Sequence, residues 1–378
     1  QTSLTPSRSA NASPLLVRMK THLLTRAPLI ALAALTLLAA MWAGLVRLGW
    51  AFPPLRPNWV ANHGPLMISG FLGMLISLER AVALSAMRRA AWPYAAPVLT
   101  ALGSAAILIG LPGQVGRSLI ALGSLGLVVI FAVIVRLRLD WAHATMGLGA
   151  ALWLVGNGLW LSQQPLSRAV VWWVGFLVLT IAGERLELAR LLLLRKSALA
   201  GFLASGSLYL AGAALAMLVF ETGVRLSGVG LIALGLWLLR YDLARKTIRQ
   251  AGLPRFIAAC LLPGYVWLIV AGVLWAWRAD AFAGGPLYDA MLHSLLLGFV
   301  FSMIFGHAPV ILPAVMNVAM AYRRAFFAHL ALLHAGLILR VAGDLAFNPA
   351  LRMWGGMLNV IAILVFLGNT VRSALIRE

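Results

Sequence analysis

Apolar runs of membrane-crossing length recur along this chain of 378 residues, and no other feature restricts its fold so tightly. A hydrocarbon core ~30 Å thick takes about 20 helical residues to cross. Inside it each backbone N–H and C=O must be satisfied within the spanning structure, which admits only helices or closed barrels. Twelve such runs fall at roughly 27–49, 61–84, 93–111, 117–138, 141–162, 169–192, 198–220, 225–240, 256–277, 289–312, 323–341 and 354–373. Their length selects helices, because a spanning strand needs only about 10 residues. The expected fold is therefore an all-α membrane protein of about twelve transmembrane helices. What lies between the runs is too short for a soluble domain. Only 11% of residues are charged, with a mean hydropathy of +0.95, where soluble chains carry about 25%.

The basic residues report topology. Of the 30 Lys and Arg, 22 lie before the first run, in every second loop after it, or at the end. The intervening loops share the other eight: Arg47, Arg56, Arg117, Arg168, Arg225, Arg278, Arg340 and Arg352. The positive-inside rule then puts both termini in the cytoplasm, and a missed helix would scramble the alternation. A net charge of +20 distributed this way is no sign of a nucleic-acid partner; the partner is the lipid bilayer. The first run is too long for the apolar region of a cleavable signal peptide. Residues 1–26 read as a polar leader expected to be disordered, with Met19 a candidate natural start, and 27–378 as a single membrane domain. Cys260 is the only cysteine, so neither a disulfide nor covalent haem attachment through C-x-x-C-H is expected.

A buried pattern recurs three times. Gly70-Phe71-Leu72 precedes Glu79-Arg80 in the second run, Gly175-Phe176-Leu177 precedes Glu184-Arg185 in the sixth, and Gly298-Phe299-Val300 precedes His307 in the tenth. In each case the polar residue follows the glycine by nine positions. The three marks occupy the second helix of successive four-helix blocks, which divides the domain into pseudo-repeats of about 27–138, 141–240 and 256–373.

Histidines open two of these marked helices: His63 the second and His293 the tenth. Both runs travel in the same direction, so the two imidazoles are expected at similar depth near the outer face. Ionisable side chains within a membrane default to a functional reading. Two neutral imidazoles facing one another across a bundle can fill both axial positions of a haem iron. Trp59, Trp275 and Trp277 are placed to flank a macrocycle there. His307 lies fourteen residues beyond His293, about 21 Å of rise and nearly four turns, so the two should share a helix face. His329 and His334 in the eleventh run are further candidate metal ligands; being five apart, about 140° around the helix, they cannot both face one site. One of them should be a core histidine bonded to a backbone carbonyl. Pro309 and Pro313 should break the helix just after His307.

Glu79 and Glu184 fall at helix C-termini, where a carboxylate opposes the helix dipole and calls for a cationic partner. Adjacent residues point about 100° apart on a helix, so Arg80 and Arg185 should each pair with a Glu of another repeat, and Glu187 with Arg190 on one face. Two readings stand for Glu79, Arg80, Glu184 and Arg185: an ion-pair girdle between repeats, or, with His307, a proton or metal site.

Twelve helices in three blocks of four, His63 at the head of the second, His293-Ser294-Leu295 opening the tenth, and the stretch from Gly298 to Gly306-His307 together resemble the NnrS family. These are bacterial inner-membrane haem proteins linked to nitric oxide metabolism, with an architecture related to the haem-copper oxidase catalytic subunit, whose second, sixth and tenth helices carry metal ligands. The resemblance implies a non-covalent b-type haem held by His63 and His293. It also implies a role in nitric oxide response or respiratory electron transfer, with a redox partner protein or quinol as donor and nitric oxide as a candidate ligand. Where that family shows a His-x-His-Glu cluster, this chain reads Asn62-His63-Gly64-Pro65, and its sixth and seventh runs carry no histidine, so copper is not expected. A secondary transporter with a broken tenth helix and a metal-free accessory membrane subunit are the rival readings.

Overall fold

The structure is a computed structural model that describes residues 14–316, 318 and 320–375; side chains are described from residue 26 onward, except Leu191. The leader assigned to 1–26 thus lies partly outside the described residues, and from Pro14 it is helical: α1 runs Pro14–Leu48. The remaining spanning helices are α2 (His63–Arg88), α3 (Trp92–Ile109), α4 (Gly113–Leu137), α5 (Trp141–Leu161), α6 (Leu166–Ala189), α7 (Lys196–Leu215), α8 (Phe220–Tyr241), α9 (Leu253–Trp277), α10 (Gly285–Met316), α11 (Phe326–Leu345) and α12 (Pro349–Leu375). No strand occurs among the described residues. All twelve helices are long and apolar enough to cross a membrane.

Sequence neighbours joined by short loops pack antiparallel, and α1 closes the bundle against both α2 and α12. The three helices carrying the recurrent mark form its interior. Their apolar windows are 61% (α2), 78% (α6) and 67% (α10) buried, against 33–56% for the other nine. Close packing accounts for the repeated glycine. A Cβ at Gly70 would sit 2.8 Å from the Thr36 side chain, at Gly175 2.6 Å from Leu152, and at Gly298 2.4 Å from Trp267. Small residues let neighbouring helices approach where lipid provides no hydrophobic drive for association.

Two departures from regular geometry fall in α2 and α10. Leu66–Gly73 and Ser294–Phe301 are wound as π-helix, and each begins within three residues of the opening histidine, His63 or His293. α6, which carries no histidine, is α-helical throughout. Pro309 and Pro313 do not end α10, which continues as helix to Met316. Inside a membrane a proline-interrupted turn is held by its packed neighbours, and here Cys260 of α9 lies against Gly306.

Candidate functional site

His63 and His293, 230 residues apart in sequence, meet at one end of the bundle. Their rings stand 6.4 Å apart between centroids with planes inclined by 25°. Each ring is fixed through Nδ1: His63 donates to the Ala40 carbonyl of α1 at 2.7 Å, and His293 to the Asp289 carbonyl one turn back at 2.9 Å. A hydrogen bond donated by Nδ1 selects the tautomer whose Nε2 carries a free lone pair, the form that ligates metals. His63 Nε2 has no hydrogen-bond partner among the described residues. Gly44 makes room for this ring, since a Cβ there would lie 2.8 Å from His63 Cε1.

The pair faces a cleft enclosing about 1420 Å³ of space, part of it continuous with solvent. Apolar side chains such as Met41, Leu72 and Phe301 form its inner wall, and Gly64, Gly284 and Gly285 line it with no atom within 4 Å of where their Cβ would be. Its rim is charged. Arg340 of α11 grips Asp289 with two hydrogen bonds of 2.7 and 2.8 Å, and its Nη2 donates to His293 Nε2 at 3.3 Å, so that of the two rings only His63 has an unengaged Nε2. Arg352 stands 3.1 Å from Asp344, whose side chain is fully buried, and 3.8 Å from Asp289. Arg47 completes the rim. Three arginines against two carboxylates leave the cleft positive.

Of the tryptophans expected to flank this site, none lines it. Trp59 donates to the Leu108 carbonyl, Trp275 packs against Phe282, and Trp277 is 60% exposed. The cleft uses Trp173 of α6 instead. Its indole N–H donates to Asn157, which also accepts from Ser69 in the π-helical part of α2, while Trp153 donates to Ser69. This buried network ties α2, α5 and α6 together beneath the cleft.

The other candidate residues lie elsewhere. At the opposite end Arg80 of α2 pairs with Glu184 of α6, the expected inter-repeat bond, and stands 3.4 Å from its own neighbour Glu79. Side-chain flexibility overcomes the 100° offset that argued against that second contact. Arg185 is buried, and among the described residues no ion pair joins it to a Glu of another repeat. Glu187 and Arg190 do not pair with each other: Glu187 reaches Arg138 at 3.5 Å and Arg190 reaches Asp140 at 2.7 Å. His307 donates to the Met303 carbonyl, and its Nε2 is buried without a partner among the described residues. His329 sits among Phe256, Phe305, Phe326 and Phe366, with Asn369 at 3.2 Å. His334 is the satisfied core histidine, through side chains and no carbonyl: Nδ1 accepts from the Trp267 indole at 3.1 Å, and Nε2 donates to Ser302 at 3.3 Å. His307, His329 and His334 are not gathered together. Among the described residues no group of three or more His, Cys, Asp or Glu is placed to hold a metal.

Asp289, Asp344 and the roles of Arg340 and Arg352 went unread in the sequence. The signal was present: Asp289 opens the tenth apolar run one helical turn before His293, and Asp344 follows the eleventh one turn after Arg340.

Fold and site together define a polytopic helical membrane protein with a paired-imidazole cleft at one end. A cryo-EM structure of a haem-copper terminal oxidase dimer shares its architecture, with a TM-score of 0.56 at 11% identity over 96% of this chain and 85% of that one. This likeness is one of fold alone. No curated protein matches the sequence. Residues 26–375 match the family described as domain of unknown function DUF8744, and the chain belongs to that family.

Proposed function

We propose that this is a haem-binding protein of the bacterial inner membrane in which His63 and His293 would together hold the iron of a non-covalent b-type haem. The observation that carries this is the ring pair. Imidazole nitrogens at about 2.0 Å on both sides of one metal ion bring their ring centroids to roughly 6 Å, and the observed separation is 6.4 Å. The Nδ1 bonds to Ala40 and Asp289 hold both rings in the ligating tautomer. Arg47, Arg340 and Arg352 supply positive charge in the same cleft, suited to the propionate carboxylates of the group.

A haem bound there supplies one-electron redox chemistry. The residues of the chain orient it, keep it in an apolar environment and set its charge. Held by both His63 and His293, the group would serve electron transfer and leave neither imidazole position open to nitric oxide. That favours respiratory electron transfer, from a redox partner protein or a quinol, or sensing of nitric oxide, over rapid turnover of it. Nitric oxide response remains within the reading through the likeness of His63, His293 and the Gly298–His307 stretch to the NnrS family. No copper step is part of the proposal.

Absorption spectra of the purified protein, oxidised and dithionite-reduced, test it with His63→Ala and His293→Ala alongside. A low-spin haem spectrum in the wild type that collapses in both variants is the expected result. Absence of haem bands after expression with ample haem supply would overturn the reading, as would a spectrum unchanged by either substitution.

A further inference from the structure

At the end of the bundle away from His63 and His293, two cavities meet. One is a basic cleft formed by the loop before α7 and the segment after α8. Arg195, Arg240, Arg245, Lys246 and Arg249 line it. Its one carboxylate, Asp242, is 2% exposed and accepts the Ala244 amide at 2.7 Å. Burial raises its pKa above the ordinary carboxylate range, against the pull of Arg185 and of the Ala244 amide. One buried carboxylate faces five basic side chains, so the cleft carries net positive charge. Arg245 is anchored by donation to the Arg240 carbonyl at 3.0 Å, which leaves the rest of its guanidinium facing the cleft.

The second cavity is a groove on the lipid-facing side of the bundle. It is lined by Leu239, Leu262, Val266 and Ile338, with Trp267 at its floor. Arg245 and Arg249 belong to both cavities, so the groove opens directly out of the basic cleft. Val266 and Ile338 are 50% and 60% exposed. From Leu253 at the start of α9 to Val266 is about 20 Å of helical rise, which takes the groove from the loop level to the middle of the span. The groove and the cleft enclose about 1210 and 1560 Å³, both open to their surroundings.

We infer that the basic cleft and the groove together form a binding site for one anionic glycerophospholipid, its phosphate held by Arg245 and Arg249 and an acyl chain laid along α9. A phosphate alone would have no use for the groove, and a zwitterionic lipid would have little for five cations. Basic pockets among membrane helices favour anionic headgroups for this reason. The bilayer around the protein supplies the ligand, and the site is independent of any cofactor at the histidine end.

Native mass spectrometry of the detergent-purified full chain tests the inference, titrated in turn with phosphatidylglycerol, phosphatidylcholine and inorganic phosphate. One phosphatidylglycerol should bind at least tenfold more tightly than phosphatidylcholine. That preference should vanish in Arg245→Gln/Arg249→Gln. It should also weaken in Ile338→Trp, which fills the groove from a different helix and leaves every charge in place. Arg323→Gln/Arg324→Gln, equal in charge change but on the loop before α11, should bind as the wild type does. Equal losses in the two arginine pairs would overturn the site in favour of general surface charge. Undiminished binding to Arg245→Gln/Arg249→Gln or to Ile338→Trp would overturn it as well, as would inorganic phosphate binding as tightly as the lipid.

Discussion

Glu184→Gln removes the carboxylate that ties Arg80 of α2 to α6. The two side chains are only 14% and 20% exposed, so bulk water offers the guanidinium little replacement. Removing one partner of a buried ion pair typically costs about 3–5 kcal/mol, because the other charge is left uncompensated. Here Glu79 remains 3.4 Å from Arg80, and the exposed fraction of each group lets some hydration return. We therefore expect a loss of about 2 kcal/mol for Glu184→Gln. Glu79→Gln keeps the closer bond and should cost about half as much, ~1 kcal/mol. With both carboxylates gone the cation is stranded, so the double variant should lose more than the sum of the singles, by about 1 kcal/mol. Reversible unfolding in mixed micelles, followed by tryptophan fluorescence, measures all three. Strict additivity, or a Glu79→Gln cost equal to that of Glu184→Gln, would refute the assignment of Glu184 as the principal partner of Arg80.

Packing at the repeated glycine gives a second test. Gly298→Ala should destabilise by about 1–3 kcal/mol, because its Cβ would lie 2.4 Å from Trp267, whereas Gly64→Ala meets nothing within 4 Å; thermal unfolding midpoints in detergent compare the two. His334→Ala leaves the Trp267 indole and the Ser302 hydroxyl without their partner and should cost about 1–3 kcal/mol, while any haem spectrum stays as in the wild type. Asp140 provides the pH dependence. Burial works against its ionisation, but the His143 amide, the Arg190 guanidinium and the His143 ring hold its carboxyl below the usual carboxylate range. A pKa lower in the folded than in the unfolded state means that this stabilisation is complete above about pH 4 and is lost as pH falls further. Wild type should therefore lose stability between about pH 4 and pH 3 by a margin absent from Asp140→Asn, and parallel curves for the two would contradict it.

Much of this architecture was legible because membrane insertion imposes simple constraints. Run length and alternation of basic loops led to twelve helices without reference to packing, and a glycine nine residues before a polar residue marked the helices that proved innermost. His63 and His293 were legible as a pair because both opened helices running in one direction. Their environment was not. Arg340 and Asp289 are 51 residues apart in sequence, and whether a run's terminal arginine faces solvent or a buried carboxylate depends on how α10 and α11 pack. The tryptophans misled for a similar reason: a residue type expected at any membrane interface carries no information about which face of the helix it occupies. Counting fourteen residues from His293 to His307 assumed unbroken α-helix. The Ser294–Phe301 π segment lies between them, and each extra residue in such a turn rotates everything beyond it by about 100°.

The π segments yield the remaining test. They occur in the two helices that carry a histidine at the cleft and are absent from the equivalent place in α6. In α2 the segment separates two ends with different demands: His63 must meet α1 and α10, and Arg80 must meet Glu184 of α6. From His63 to Arg80 is 17 residues, and the wound-in residue sets the angle between the two ends. Deleting Met67, which is only half-buried within the π stretch, should return this part of α2 to α-helical winding. The shorter helix can keep Arg80 seated only by turning His63 about 100° and displacing it about 1.5 Å along the axis. The ring would then leave the Ala40 carbonyl and the 6.4 Å arrangement with His293. We expect the deletion to abolish low-spin haem binding as completely as His63→Ala does, with the unfolding midpoint less affected than by Glu184→Gln, because π-bulges are local and the rest of the helix keeps its bonds. An intact low-spin spectrum in the deletion variant would show that the extra residue does not set the position of His63. Collapse of both spectrum and fold would mean that the π-turn carries the packing of α2 as a whole, and not the angle of one ring.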